Sequence, residues 1–208
     1  MRIVVKWHED MWQEIKDDAL FTIHKSGGKY PTSQWKKEML MAEHSPIRTG
    51  RLIIECYDVP SFVIGHIVRH NIGFTPFVSS LRSDRAEYEE IPNRLTPNNL
   101  RFDGNFQSFI NISRKRYCNC ASKETRWFWR KVMKEVRKFE SELYWACVPE
   151  CIYRGGCTEK YPCEEHFFGE FLKFVSDKMP ITRLLHPPTR YDLYEEYIDE
   201  ISKTGETT

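Results

Sequence analysis

The chain has 208 residues, 40% of them hydrophobic and 29% charged, with a formal net charge of +1. That is long enough for one globular domain with a real core. The near-neutral balance excludes a global field that would draw the chain to polymeric nucleic acid or a membrane surface. No apolar run approaches the roughly 20 residues of a membrane span. The opening Met1-Arg2-Ile3-Val4-Val5-Lys6-Trp7 turns polar too soon for a signal peptide, so a cytoplasmic chain is expected.

Residues 2–7 alternate and predict a strand. Met11, Trp12, Ile15, Ala19, Leu20 and Ile23 predict a helix over 9–24 with one apolar face, stopped at Ser26-Gly27-Gly28. Pro31-Thr32-Ser33 supplies a hydroxyl cap for a second helix carrying Trp35, Met39, Leu40 and Met41. Ser45-Pro46 breaks that helix just after His44. Residues 51–58 predict a β-branched strand. Pro60-Ser61 opens a helix expected to reach His70, with Val63, Ile64, Ile67 and Val68 buried. Arg69 and His70 then fall at its C-terminal end, where the helix dipole favours cations. Phe74–Leu81 predicts a strand, and the two-residue repeat would put Ser80 and Arg82 on one face.

Residues 83–103 are charged and turn-rich and predict a connector. After Gly104-Asn105 a helix is expected, with Phe106, Phe109, Ile110 and Ile112 inside. Asn105, Ser108 and Asn111 step along it with Gln107 and Arg114 nearby, ending at Arg116. This amide stripe suits either a ligand-binding platform or anchors for neighbouring loops. Ala121–Thr125 opens a long helix with Trp127, Phe128, Val132, Val136, Phe139 and Leu143 as its core face. Two further helices are expected over 164–175 and 190–202, with a Pro-bearing loop over 178–189. Residues 204–208 read as a disordered tail. The whole reads as a single α/β (α+β) domain over 1–203.

Two constellations carry chemistry. The first is Arg69-His70-Asn71 with Ser80-Leu81-Arg82, basic and hydroxyl groups at both ends of an apolar run. An arginine fork and a hydroxyl suit an anionic ligand, and the same residues also suit a surface loop with solvated charges. The second is the cysteine-rich segment 147–166. Seven cysteines, an odd number, argue against a disulfide framework. Cys147, Cys151, Cys157 and Cys163 are followed by His166. Cys151, Cys157, Cys163 and His166 have the donor types of a structural zinc site, without a paired Cys-x-x-Cys pattern, and buried free thiols are the alternative.

The sequence resembles the flavin-dependent thymidylate synthases (ThyX). Their Arg-His-Arg, seven or eight residues, Ser-x-Arg signature is matched by Arg69-His70-Asn71, eight residues, Ser80-Leu81-Arg82. His44-Ser45-Pro46 is similar to the family's His-Glu-Ser/Thr-Pro segment. Asn105, Asn111, Arg116, Ala121 and Glu124 keep the spacing of its flavin- and nucleotide-binding helix. The likeness covers residues 35–145, and the cysteine-rich tail is similar to that of some members and phage relatives. It implies a mostly antiparallel sheet flanked by helices, with long C-terminal helices, in a homotetramer with shared active sites. It also implies FAD, reduced by NADPH, and methylenetetrahydrofolate as one-carbon donor to dUMP. Carried over by position, Ser79, Ser80 and Arg82 bind the dUMP phosphate with Arg69. Arg116 holds and polarises the pyrimidine, Arg116 and Ser80 forming the catalytic pair. His44, Ser45, Arg69, His70, Asn71, Asn105, Gln107 and Asn111 face FAD.

The departures are Asn71 for the second signature arginine, Gln107 for a flavin-binding arginine, and Cys120 for a basic residue. A shortened 82–105 connector removes another nucleotide-binding arginine, for which Arg94 or Arg101 are the candidate substitutes. These departures fit a divergent, phage-type branch. They leave two alternatives: a pyrimidine nucleotide hydroxymethylase that omits the reductive step, and a non-catalytic nucleotide-binding relative.

Overall fold

The computed structural model describes residues 1–7, 9–82, 84–85, 91–164 and 166–203. The expected disordered tail, 204–208, lies outside the described residues. Four strands, β1 (Arg2–Lys6), β2 (Arg51–Pro60), β3 (Phe74–Val78) and β4 (Pro97–Asn105), form one antiparallel sheet in the order β1-β2-β4-β3. The helices described are α1 (Met11–Phe21), α2 (Ser33–Met41), α3 (Ser61–Ile67), α4 (Phe106–Arg116), α5 (Lys123–Arg137), α6 (Ser141–Ala146), α7 (Glu150–Arg154), α8 (Phe167–Ser176) and α9 (Pro187–Lys203). None of them is long and apolar enough to cross a membrane.

The expected α/β (α+β) class is the one observed, with one correction that matters for the site. The 83–103 stretch is not wholly a connector: Pro97–Asn105 is a central strand, paired with both β2 and β3. Its inward positions Asn98, Leu100, Phe102 and Gly104 are buried, while Asn99 and Arg101 are exposed. Its asparagines, proline and glycine mimic turn chemistry, so the two-residue alternation of a half-buried strand is easily missed.

The sheet's outer face is wet and charged, with Lys6–Glu55 and Arg51–Asp103 ion pairs at 2.7 and 3.0 Å. Its inner face meets the helices. Phe102 packs against Phe74, Phe109 and Trp129 with ring centroids 4.7, 6.0 and 6.3 Å apart. Burying aromatic surface this fully supplies much of the core's stabilisation. Of the expected core face of the long helix, Phe128, Val132, Val136 and Leu143 are buried, joined by Trp129 and Met133, while Trp127 and Phe139 are exposed instead. The expected hydroxyl cap is present on α2, and α5 has one as well. Thr32 accepts from Trp35 N at 3.2 Å, and Ser122 from Thr125 N at 3.4 Å.

Three further boundaries differ. α3 stops at Ile67, so Arg69 and His70 stand just beyond its last turn. The 178–189 loop contains a 3₁₀ turn, Ile181–Leu185, and α9 already begins at Pro187, where proline's missing N–H is harmless. β3 ends at Val78, before the Ser-x-Arg pair.

Candidate functional site

Arg116 ends α4 and points its guanidinium at the end of α3. Its Nε donates to His70 Nε2 at 3.0 Å, and an Nη donates to the His66 carbonyl. His66 Nδ1 lies 2.7 Å from Thr125 Oγ1, whose hydroxyl also meets Ser122 at the N-terminus of α5. Accepting from Arg116 requires His70 Nε2 to be unprotonated, so the neutral ring carries its proton on Nδ1.

This corner is rich in positive charge. Burial, then the Arg116 guanidinium, push the His70 imidazole down from 6.5 to about 4. Burial lowers His66 too, assisted by Arg116, Arg69 and Arg94, with Glu124 acting against them. Arg116 is itself lowered by burial and by neighbouring Arg69. Two neutral imidazoles and converging guanidiniums suit an anion or an electron-rich carbonyl edge.

The sign of the His70 shift makes a pH prediction. Above about 6.5 both folded and unfolded states carry a neutral ring, and the full stability is present. Below that the unfolded chain takes up a proton that the folded chain refuses until about pH 4. Stability is therefore expected to fall across this window by on the order of 1–2 kcal/mol, after discount for partial exposure. Urea unfolding at both ends of the window should show that loss shrinking in His70→Gln; equal losses in the two proteins would contradict it.

The other expected site residues divide into groups. Asn105 caps α4, its Oδ1 accepting from Ser108 N at 2.9 Å, and its own N–H donates to Gly73 O at 2.9 Å. Gln107 donates to Glu43 and, at 3.3 Å, to Asn111 Oδ1. Arg114 also binds Glu43 and stacks 3.5 Å over Tyr153. The amide stripe therefore anchors the Glu43 turn, the second of its two sequence readings. Arg116 lies roughly 140° around the helix from Asn111 at 100° per residue, so α4 offers these groups on different faces. Next to Glu43, His44 and Ser45 are exposed, as are Arg69 and Asn71.

Ser80 and Arg82 do not share a strand face. They follow β3 in a turn, where Ser80 Oγ accepts from Arg82 N at 3.2 Å. Arg82 forks onto the Asp84 carboxylate at 2.8 and 2.6 Å. Ser79 is tied by its backbone to Asn98 and Asn99. This turn lies beyond the Val78–Leu100 end of the β3–β4 ladder, whereas Phe74 pairs with Gly104 beside α4. The separation is about 16 Å along the strand. No bond among the described residues joins Ser80 or Arg82 to His70 or Arg116.

Of the two candidate substitute arginines, Arg94 stacks 4.9 Å over Phe62, whose ring meets His66 edge-on. Arg101 instead lies 3.7 Å from Glu55, on the sheet's outer face. The sequence reading gave no part to His66, Thr125 or Glu43, and placed Arg114 only beside the amide stripe. His66 carried a signal, standing three and four residues before Arg69 and His70.

The zinc expectation also needs correction. Cys151, Cys157, Cys163 and His166 do line one pocket, yet among the described residues no three His, Cys, Asp or Glu side chains are grouped to hold a metal ion.

The sheet and its flanking helices share their fold with a solved protein. The chain is similar to the flavin dependent thymidylate synthase ThyX from Helicobacter pylori, solved with FAD and dUMP. The TM-score is 0.55 and the identity 12%, over 71% of this chain and 100% of that one. No family model and no curated protein matches the sequence. At this identity the likeness establishes the fold, and the chemistry rests on the residues.

Proposed function

We propose that the chain is a ThyX-like enzyme that passes a one-carbon unit from methylenetetrahydrofolate to carbon 5 of dUMP. The observation that carries this is the Arg116–His70–His66 corner, flanked by Arg69 and Arg94, on a fold shared with a protein that binds FAD and dUMP. FAD, reduced by NADPH, supplies the hydride when bound.

The residues fit that cofactor in part. His44, Ser45, Arg69 and Asn71 are exposed and available to it, with His70 beside them. Gln107 and Asn111 are already engaged by the Glu43 turn, and Asn105 by its cap. Arg116 holds the pyrimidine edge and stabilises charge that develops there. Its bonds to His66 O and His70 fix the guanidinium before substrate arrives, which lowers the reorganisation needed. Ser79, Ser80 and Arg82 hold the nucleotide phosphate, with Arg82 exchanging Asp84 for it. Their distance from Arg116 in one chain supports a site completed by a second copy, in a homotetramer.

The commitment of Gln107 to Glu43 favours a second reading in which the flavin is weakly held and the one-carbon adduct ends as a hydroxymethyl group. Incubating the protein with dUMP, methylenetetrahydrofolate, FAD and NADPH and identifying the nucleotide separates the two. dTMP is the expected product. Hydroxymethyl-dUMP would replace the first reading with the second, and nucleotide binding without turnover would leave a non-catalytic relative.

A further inference from the structure

A cavity of about 300 Å³ lies between α5, α6 and α9, at the small end of the range for small-molecule sites. Its floor is aromatic: Tyr117 from just past α4, Tyr144 and Trp145 from α6, and Tyr194 from α9. Arg130, Lys134 and Arg137 line it from α5, at four- and three-residue steps that put them on one helix face. None of the lining residues is among the side chains assigned to nucleotide or flavin, so the proposed reaction leaves this cavity unexplained.

Donors dominate its polar side. No hydrogen bond among the described residues engages the Tyr117, Tyr144 or Tyr194 hydroxyl, and none of the three is sealed inside the core, so they open on the cavity. Burial raises all three above the ordinary phenol value and keeps their protons on, and the Arg130 charge reaches both Tyr117 and Tyr194. The acidic groups opposite are already engaged. Arg137 meets Glu195 at 2.9 Å and Asp199 at 3.1 Å, and its guanidinium lies 4.8 Å over the Tyr144 ring. Lys134 makes no ion pair among the described residues. Once the Arg137 pairs are set aside, the lining is positive and short of acceptors.

We propose that this cavity binds a small organic anion, its carboxylate or phosphate head held by Lys134, Arg130 and the tyrosine hydroxyls, and its apolar body laid against Trp145 and Ile198. Charged and neutral donors together suit such a head. Burying a ring or chain on the aromatic floor adds affinity that a bare ion cannot reach. The Arg137 pairs tie α5 to α9, so both walls are in place before the ligand arrives.

Calorimetry on the full chain with phenyl phosphate, benzoate and inorganic phosphate tests this. Phenyl phosphate or benzoate is expected to bind at about one per chain, and the tighter of the two names the head group. Inorganic phosphate is expected to bind at least about 10-fold more weakly, since it leaves the aromatic floor unused. Lys134→Ala and Tyr194→Phe should each weaken the tighter organic anion by roughly 10-fold. Lys134 is exposed and phenylalanine keeps the Tyr194 ring, so both variants are expected to fold, which circular dichroism checks. Affinity unchanged in either variant would place the anion elsewhere, such as the Arg116 corner, and overturn the assignment. Inorganic phosphate bound as tightly as the organic anions would reduce the cavity to surface cations. Binding of none of the three would overturn the site altogether.

Discussion

Arg116→Ala is expected to lower turnover of the proposed reaction by about 10²–10³-fold, equivalent to roughly 2.7–4 kcal/mol of lost transition-state stabilisation. The guanidinium is partly buried, where charge is poorly screened, and two of its nitrogens are fixed by His66 O and His70 Nε2. An alanine leaves those acceptors unpaired, with a stability loss of about 1–3 kcal/mol. Folded fraction must therefore be measured alongside rate. Arg116→Lys separates the effects, because it keeps the charge and loses the fork that joins α3 to α4. Turnover that survives in a folded Arg116→Ala protein would remove Arg116 from the chemistry.

Gly73→Ala is expected to destabilise the chain by about 2–4 kcal/mol and to disturb the start of α4. Gly73 has φ +68°, and a Cβ there would lie 2.6 Å from the Asn105 side chain. Asn105 is at once the cap of α4 and a backbone partner of Gly73. The added methyl would displace the cap while placing alanine in a left-handed conformation. Chemical denaturation measures the loss, and a midpoint within error of the parent would show that this joint is not tight.

Most elements were legible because their signals are local. The cap at Thr32 and the apolar spacing of α4 depend on neighbours within one or two turns. β4 was missed because Asn98 and Asn99 read as a turn unless strands β2 and β3 lie on both sides of them. The site divided in the same way. Arg69, His70 and Arg116 were singled out through the resemblance, and the fold brings Arg116 onto His70. The Glu43–Gln107–Arg114 network needs a turn 64 residues from its helix partner, and no local pattern announces that. Ser80 and Arg82 were readable as a motif but misplaced as geometry, since a strand that stops at Val78 cannot present them side by side. The cysteines show the same limit: spacing drew in Cys147 and omitted Cys118 and Cys120, which join the pocket of Cys151, Cys157 and Cys163 only through the fold.

The central claim is that the Arg116 corner belongs to a joint flavin and nucleotide site. The measurement that tests it most directly is titration of the protein with FAD and then with dUMP, following the visible flavin absorption. The predicted result is FAD bound at about one per chain, with a spectral shift on adding dUMP that is lost in Arg116→Ala. A flavin spectrum unmoved by saturating dUMP, with no dUMP binding by calorimetry, would contradict it.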